Sequence, residues 1–395
     1  MSKIAFFCIP AHGHTNPTLE VVRELIRRGH QVRYYSYDLL KEKIEAAGAD
    51  YISCDSYDIQ MSLAPEDRER VGTDIVFSME LLVNTTLAMD ETIIADMAKW
   101  KPDCIVADSM AIWGKLAAYK LGIPFMSSTT TFAFNRYSSK IMKQTAGQMF
   151  SMLFSLPKAN QFVKKLQEKG YPVKNALSVI SNDNDTNTIV YTSPEFQPCS
   201  DTFSDRYTFV GPSVRTLDYE VLKPQRQTVY ISMGTVVNSN IQFYKTCIAA
   251  LAHSDFDVIM SVGEFIDIAE LGDVPEHFTI ARTANQIEVL QKADVFLTHC
   301  GMNSVNEALY YKVPLVLFPQ TAEQGGVARR VYELGAGIYL QEDSPELIRE
   351  AIEQVLENPS YRHCAEAISN GFHKCGGCRL AADKIEGLIT AHLQL

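Results

Sequence analysis

The sequence predicts an α/β protein with two doubly wound parallel sheets that face each other across a cleft. Three observations support this fold class. The chain has 395 residues, which exceeds one typical hydrophobic core. Apolar strands alternate with helices in both halves, a pattern typical of parallel βαβ units. Residues 211–227 are polar, contain Pro and Gly, lack a core pattern, and therefore predict a linker.

The composition narrows the class of protein. The chain is 46% hydrophobic and 21% charged, as in ordinary soluble globular proteins. A net charge of -11 and a pI near 5.4 argue against nucleic-acid binding. We find no apolar run long enough for a membrane span and no signal-peptide pattern. Nine scattered cysteines are typical of reduced thiols, so we expect a cytoplasmic protein.

The first half predicts an N-terminal domain over residues 1–210. A buried strand at residues 3–10 is followed by a predicted turn at 11–17 and a helical stripe that ends at Gly29. A second strand follows at 31–37, which completes a parallel βαβ unit. The first turn lacks G-x-G-x-x-G, which argues weakly against a dinucleotide-binding half.

Two further features of this half bear on function. Residues 102–108, PDCIVAD, predict a buried strand that ends on the carboxylate of Asp108. Residues 55–90 and 130–180 are apolar and rich in Met and Phe, so they are candidates for an adaptable acceptor pocket. Helices that merely cover the sheet explain much of the same pattern.

The second half repeats the alternation and predicts a C-terminal domain over residues 228–375. A strand at 229–234 runs into a small-residue turn at Gly234 and Thr235. Residues 376–395 predict a last amphipathic helix, for which packing back on the N-terminal domain is one arrangement. Two successive doubly wound units imply a ligand cleft at the carboxyl ends of their strands.

The segment 294–307, DVFLTHCGMNSVNE, predicts a strand, a small-residue turn and a helix N-terminus. A helix start offers unpaired N–H groups and partial positive charge, which suits a phosphate. Gly301 allows close backbone approach, and His299 and Ser304 can add donors. Glu307, one turn into the helix, can accept from ribose hydroxyls. The alternative is an ordinary helix start capped by a polar side chain.

Three motifs together carry a family resemblance: HGHTNP after the first strand, HCGMNSVNEA in the second half, and PQTAEQ after it. The chain resembles family-1 glycosyltransferases of the GT-B fold, of the bacterial macrolide and flavonoid type. The resemblance implies two Rossmann-like domains. It also implies inverting sugar transfer from a UDP-sugar, usually UDP-glucose, to a hydroxyl of a small hydrophobic flavonoid, macrolide or other phenol. Neither a metal nor a cofactor beyond the UDP-sugar co-substrate is implied.

The resemblance identifies His14, three residues before Pro17, as the general base, and Asp108 as the acid that orients it. An imidazole suits deprotonation of a hydroxyl near pH 7, and a carboxylate on its other nitrogen fixes the tautomer. One base without a second catalytic carboxylate fits direct inverting displacement and differs from the paired acids of a hydrolase. His12 is a rival base. Structural roles remain open, for His14 as a residue packed at the helix start and for Asp108 as an N-cap.

The same resemblance assigns the donor site. It implies that the pyrophosphate is contacted by His299, Gly301, Asn303 and Ser304, and the ribose by Glu307. The sugar hydroxyls are expected to contact Glu323 and Gln324. Thr235 is expected near the phosphates, and Ala284 and Gln286 near the base. Residues 283–286, TANQ, depart from the family because they lack the aromatic and the Pro found there. This departure leaves UDP as the expected donor nucleotide and TDP as the alternative.

A C-x-x-C pair, Cys375 and Cys378, offers another interpretation. Such a pair can be a redox centre or half of a zinc site, but no second pair completes a zinc site. A Gly-rich helix start with incidental thiols explains it more simply. Two alternatives to the transferase therefore stay open: a nucleotide-sugar epimerase or hydrolase of the same fold, and a nucleotide-sugar-binding or redox protein.

Overall fold

The protein forms two parallel sheets, as the computed structural model shows for residues 1–57, 70, 74–142, 146–180, 182, 184–215, 217–234 and 240–394. One sheet has seven strands and the other six, and every strand pair in them is parallel. The prediction of an α/β protein with two doubly wound sheets is confirmed.

The N-terminal sheet has the strand order β3-β2-β1-β4-β5-β6-β7. Its inner strands are almost wholly buried, since helices cover both faces, and this explains why they are continuous apolar runs in the sequence. The strands are β1 (Lys3–Phe7), β2 (Gln31–Ser36), β3 (Asp50–Ser53), β4 (Cys104–Asp108), β5 (Phe125–Thr129), β6 (Thr188–Val190) and β7 (Tyr207–Phe209).

The C-terminal sheet has the strand order β10-β9-β8-β11-β12-β13. Its central strands β8 and β11 are completely buried, as their apolar sequences predict. The strands are β8 (Thr228–Ser232), β9 (Asp257–Ser261), β10 (Phe278–Ala281), β11 (Val295–Thr298), β12 (Leu315–Leu317) and β13 (Gly337–Tyr339).

Helices fill both faces of each sheet. The α-helices of the described residues are α1 (His12–Arg27), α2 (Lys41–Ala46), α3 (Ile75–Trp100), α4 (Ile112–Leu121), α5 (Ala146–Glu168), α6 (Ala176–Ile180), α7 (Ile241–Leu251), α8 (Gln286–Lys292), α9 (Met302–Tyr310), α10 (Ala322–Glu333), α11 (Pro345–Glu357), α12 (Pro359–Lys374) and α13 (Gly377–Leu393). Short 3-10 helices lie at Asp38–Leu40, Asp55–Tyr57, Ser138–Met142, Ser200–Thr202 and Ile268–Leu271.

Each sheet has a topological switch point, where successive strands stop being added at one edge of the sheet and are added at the other. In the N-terminal sheet β1 lies between β2 and β4, and in the C-terminal sheet β8 lies between β9 and β11. Helices on the two sides of such a point pack on opposite faces, here α1 and α4 in one domain and α7 and α9 in the other. A crevice therefore opens at the carboxyl ends of the paired strands, where ligands bind in doubly wound folds.

The predicted turn over residues 11–17 is wrong. The helix α1 already begins at His12, directly after an extended Ala11. Pro17, the last residue of the predicted turn, lies inside α1, where its missing N–H removes one backbone hydrogen bond. His14 therefore projects from the first turn of a helix, which fixes it more rigidly than a loop would.

The last helix returns to the N-terminal domain. Ala381, Ala382, Ile385 and Ile389 of α13 are buried in the same cluster as the apolar face of α1. Arg28 at the end of α1 donates to Asp383 and Glu386 at 2.6 and 2.7 Å. The C-terminal helix α13, which follows the C-terminal domain in the chain, thus packs on the N-terminal domain and links the two.

A second contact joins the domains on the other side. Phe132, Ile141 and Phe196 from the N-terminal half are buried among residues of the C-terminal core. Arg330 of α10 donates to the backbone oxygens of Glu195 and Phe196 at 2.7 and 2.9 Å. These contacts hold the two crevices opposite each other.

Candidate active site

His14 and Asp108 meet in the N-terminal crevice. His14 comes from the first turn of α1, after β1, and Asp108 is the last residue of the neighbouring strand β4. The Nδ1 atom of His14 lies 2.8 Å from Oδ2 of Asp108. The side chain of Asp108 is fully buried, whereas that of His14 keeps 20% of its surface exposed. The carboxylate is thus a fixed support and the imidazole is the group that a ligand can reach.

The hydrogen bonds determine the tautomer of His14. A carboxylate only accepts, so Nδ1 carries the proton and donates to Asp108. Thr130, just after β5, places its Oγ1 3.1 Å from the same nitrogen. The Nε2 atom then carries the free lone pair, as a general base requires.

Two opposing effects set the basicity of His14. Burial by itself lowers the pKa, because it disfavours the charged imidazolium. The charge of Asp108 and the hydrogen bond to it act in the other direction, with a smaller contribution from Glu323, and the net pKa of His14 is raised above its usual value. A raised pKa makes the imidazole a better proton acceptor.

The rival base His12 has a different environment. It is the first residue of α1, and Lys43 lies 3.2 Å from its Nδ1. Partial burial, together with the charge of Lys43, lowers the pKa of His12. Since no carboxylate orients its ring among the described contacts, His14 is the better candidate.

The turn after β11 forms the C-terminal crevice. Gly301 is the N-cap of α9, and the imidazole of His299 is packed between Gly301 and Gly234. A Cβ atom on either glycine would come within 2.5 Å of the His299 ring, so only glycine fits at both positions. Gly234 also has a φ of 76°, which other residues rarely adopt.

His299 is buried without the support that His14 has. Its Nδ1 atom has no hydrogen-bond partner among the residues that the structure describes. Burial lowers the pKa of His299 to about 4, although a hydrogen bond with the Ser232 backbone acts in the opposite direction. The ring is therefore neutral at pH 7. Its Nε2 atom lies against Gly301, the N-cap of the helix that is predicted to hold the diphosphate.

Glu307 and Gln286 form a second polar cluster in this crevice. The Nε2 atom of Gln286 donates to Oε2 of Glu307 at 2.5 Å and to Oγ of Ser304 at 3.3 Å. The hydroxyl of Tyr230 donates to Oε1 of Gln286 at 3.3 Å. Burial raises the pKa of Glu307 to about 7, partly offset by the Gln286 hydrogen bond. This carboxyl group is poised to accept hydroxyl hydrogen bonds in its ionised form.

Asn303 reaches across the cleft. Its Nδ2 atom donates to the backbone oxygen of Gly13 at 2.6 Å. In this structure the side chain therefore contacts the helix that carries His14, and its contact with the pyrophosphate stays a prediction. The backbone N–H of Asn303 lies in the first turn of α9, where backbone N–H groups have no partner within the helix.

Glu323 and Gln324 lie in the first turn of α10. Gln324 belongs to a capping box, in which its Oε1 accepts from the backbone N–H groups of Gln320 and Thr321 at 2.7 and 3.1 Å. Only its NH₂ group is left for a sugar. Glu323 as a residue is exposed to solvent, but the protein atoms around its carboxyl group partly desolvate it, and this desolvation is the main cause of its raised pKa. The charge of His14 acts against this rise, and the charge of Asp108 adds to it. Its carboxyl group therefore lies near the His14 pair.

The remaining predicted residues are less informative. Ala284 is partly buried against the C-terminal core, next to the exposed Thr283 and Asn285. Thr235 lies outside the described residues. Sequence reasoning missed Thr130 and Tyr230, which contact His14 and Gln286 respectively. Their position at or beside the central strands is a usable signal, but only once the strand order is known.

The Cys375 and Cys378 pair lies at the start of α13. Burial raises the pKa of Cys375 to about 11, with a contribution from Glu195, and burial also raises the pKa of Cys378. Both thiols are therefore protonated at neutral pH, which disfavours reactive thiolate chemistry. No group of three metal-ligating side chains occurs within the described ranges.

Across the portion of the chain described by the structure, none of the helices has the length and apolar character needed to cross a membrane.

Comparison with known proteins shows the family of the chain. A family profile described as the C-terminal domain of erythromycin biosynthesis protein CIII-like proteins matches residues 245–373. The chain is 32% identical to an uncharacterized UDP-glucosyltransferase, YojK, of Bacillus subtilis (strain 168), over 98% of this chain and 97% of that protein. It is 34% identical to the NDP-glycosyltransferase YjiC of Bacillus licheniformis, over 98% of each.

A solved structure shows the same architecture. The crystal structure of the glycotransferase of kitacinnamycin superposes with a TM-score of 0.84 at 25% identity, and the match covers 98% of both chains. The expected family and fold are thereby confirmed. Because relatives above 30% identity align with nearly the whole chain, the protein belongs to the family-1 glycosyltransferases of the GT-B fold and is a glycosyltransferase.

Proposed function

We propose that the protein transfers a hexose, glucose by family default, from a UDP-sugar to a hydroxyl of a small hydrophobic acceptor, with inversion and without a metal ion. The observation that carries this proposal is the His14–Asp108 pair, 2.8 Å apart, which lies across the cleft from the N-terminus of α9. One crevice thus offers a base and the other an anion site. Such a transfer needs both, a base for the acceptor hydroxyl and a binding site for the leaving diphosphate.

The donor site is supported by several groups that suit a nucleoside diphosphate. The start of α9 offers backbone N–H groups and the positive end of a helix dipole to the diphosphate. Glu307, held by Gln286, is a ribose hydroxyl acceptor. The names of the relatives, a UDP-glucosyltransferase and an NDP-glycosyltransferase, agree with a nucleotide-sugar donor.

The chemistry is a single displacement. Nε2 of His14 accepts the proton of the acceptor hydroxyl while that oxygen forms a bond to the anomeric carbon. The bond from this carbon to the diphosphate oxygen breaks, and the electron pair leaves with UDP. Asp108 stabilises the imidazolium that forms. Attack from the face opposite UDP inverts the anomeric centre.

The developing charge on UDP also needs stabilisation. The N-terminus of α9 supplies fixed N–H donors at this position, and they require no reorganisation during the reaction. This arrangement supplies the electrostatic role that a metal ion has in other transferases, which is why we propose a metal-independent reaction.

Two large apolar side chains that are close in sequence to Asp108 and Thr130 are exposed. Met110, two residues after Asp108, and Phe134, four residues after Thr130, are 45% and 40% exposed. Exposed apolar side chains of this kind suit an apolar aglycone with one reactive hydroxyl. Part of the predicted acceptor segments, residues 58–69, 71–73 and 143–145, lies outside the described residues.

A donor-by-acceptor screen tests the proposal. UDP-glucose, UDP-galactose, UDP-GlcNAc and TDP-glucose are each offered to a panel of phenols and macrolides in the presence of EDTA, and products are detected by mass spectrometry. We expect a mass gain of one hexose from a UDP-sugar. A product that forms only without EDTA contradicts metal independence, and one that forms only from TDP-glucose contradicts the donor.

One observation favours a second candidate function, nucleotide-sugar hydrolysis or epimerisation. Such reactions need a further acid or base in the cleft, and Glu323 provides a carboxyl group with a raised pKa that interacts with His14 and Asp108. The same screen separates the two functions. Release of UDP or an isomerised sugar without any acceptor product supports the second.

A further inference from the structure

Pro17 leaves a gap in the hydrogen bonding of α1. In an α-helix the N–H of each residue donates to the carbonyl four residues earlier. Proline has no N–H, so Pro17, which lies inside α1, cannot donate to the carbonyl of Gly13. The first turn of α1, which carries His14, therefore has one carbonyl without this partner.

The other domain fills this gap. Asn303 donates from Nδ2 to the oxygen of Gly13 at 2.6 Å. A helix in the C-terminal domain thus completes the hydrogen bonding of a helix in the N-terminal domain. The oxygen that Pro17 leaves free is the one that Asn303 uses.

The two helices also approach each other beyond this bond. A small cavity between them is lined by Asn16 and Pro17 from α1 and by Asn303, Asn306 and Glu307 from α9. Asn306 donates from Nδ2 to the backbone oxygen of Tyr191 at 3.0 Å, which holds α9 against the N-terminal sheet further along. Gly13 directly precedes His14, and Asn303 lies in the turn predicted to hold the diphosphate.

We propose that Asn303 is a positioning residue for the base: its side chain ties the first turn of α1 to α9 and so sets the distance between His14 and the leaving diphosphate. The proposal rests on the proposed transferase function. The side chain of Asn303 serves the opposite domain, while its backbone N–H belongs to the donor site. The hydrogen bond thereby keeps His14, which accepts the proton, at a fixed distance from the start of α9, which binds the leaving diphosphate.

The role is distinguishable from two others. A pyrophosphate ligand contributes to donor binding, so its loss raises the Kd for UDP. A residue that merely satisfies a free carbonyl contributes to stability, and any other donor to Gly13 replaces it. A positioning residue instead affects the rate of transfer at saturating donor.

The first test is Asn303→Ala. We expect kcat to fall about tenfold, since a small displacement of reacting groups has large effects on rate. The Kd for UDP, measured by calorimetry, should change less than about twofold, because one net hydrogen bond to the diphosphate would be worth more. The pH profile of kcat should keep its midpoint, because the His14–Asp108 pair is untouched. A weakened Kd with unchanged kcat overturns the proposal in favour of a pyrophosphate ligand.

The second test adds Pro17→Ala to Asn303→Ala. Alanine restores the N–H that donates to Gly13 within α1 and suits a helix interior, so the double variant should fold well. It satisfies the carbonyl but does not rejoin the domains. We therefore expect kcat to remain low. Recovery of kcat to the wild-type value overturns the positioning role, because carbonyl satisfaction alone would then suffice.

Asn358→Ala is the matched control. Asn358 caps α12 through the N–H of Ser360 at 3.0 Å, so the same side chain is removed at a helix start outside the cleft. Its kcat and Kd should equal those of the wild type. Failure of the wild type to transfer any sugar contradicts the proposed function itself, whereas normal kcat in Asn303→Ala contradicts only the positioning role.

Discussion

The two crevices of this protein share a topology but differ in chemistry. Each opens at the topological switch point of its sheet, beside β1 in the N-terminal domain and beside β8 in the C-terminal domain. The N-terminal crevice contains a buried carboxylate and an oriented imidazole. The C-terminal crevice contains a glycine-flanked turn and a helix N-terminus. The backbone arrangement therefore supplies a place for ligands, and the side chains decide whether that place binds or reacts.

Two histidines show the difference most clearly. His14 and His299 each follow a central strand of their sheet. Burial acts to lower both pKa values, but Asp108 reverses the effect at His14 and raises its pKa. His299 has no carboxylate partner in the described part of the chain, and its pKa falls to about 4. Identical side chains at comparable positions thus have opposite pKa shifts, which makes His14 the candidate base and leaves His299 a neutral imidazole beside the predicted diphosphate site.

This comparison predicts that changes at the His14–Asp108 pair alter the rate, whereas a change at Glu307 alters donor binding. The largest effect is expected for His14→Ala. Loss of a general base reduces kcat by about 10²- to 10⁴-fold. The Kd for UDP should stay within about twofold, because the diphosphate contacts are on the other domain. Steady-state kinetics and calorimetry measure both quantities, and wild-type kcat in this variant would refute the assignment.

Asp108→Asn should have the next largest effect, about 10²-fold in kcat, because the imidazolium loses its stabilising charge. The pH profile sharpens the test. The imidazole is active only when neutral, so the rate rises with pH through the pKa of His14, which Asp108 raises. Removing the charge should move that midpoint to lower pH. An unchanged midpoint would show that Asp108 does not set the basicity of His14.

Glu307→Gln addresses the donor crevice. The variant keeps the shape of the side chain but loses the charge that strengthens a hydrogen bond from a ribose hydroxyl. We expect the donor KM to rise about tenfold with little change in kcat.

The wild type provides an internal control. The pKa of Glu307 is about 7, so this carboxyl group ionises as the pH rises through that value. The affinity of the wild-type protein for UDP should therefore increase over this range, and the variant should lack this increase. Equal pH dependence in both proteins would contradict the ribose role.

Thr130→Val should have the smallest effect. Valine matches threonine in shape but removes the hydroxyl 3.1 Å from Nδ1 of His14. Since Asp108 still holds this nitrogen, we expect kcat to fall by about two- to fivefold. A loss as large as that of Asp108→Asn would show that the hydroxyl, and not the carboxylate, orients the ring.

Sequence reasoning identified the features that depend on local pattern. Apolar strands alternating with helices predicted both sheets, because period and residue type are local properties. His14, Asp108 and the turn at 299–307 were found by motif, since each lies next to a strand end. The start of α1 was missed, because residues 11–17 were interpreted as a turn, and whether a helix tolerates Pro17 depends on where the lost hydrogen bond goes.

The sequence by itself determined the fold class, the family resemblance and most of the candidate site residues. Only the tertiary structure decided how they combine. It joined His14 to Asp108, which are 94 residues apart, and brought Asn303 to Gly13 across 290 residues. It also gave two histidines opposite pKa shifts and used the Gln324 carbonyl oxygen as a helix cap. The physical reason is that burial, charge partners and free carbonyls arise from packing between elements, which no local pattern in the sequence encodes.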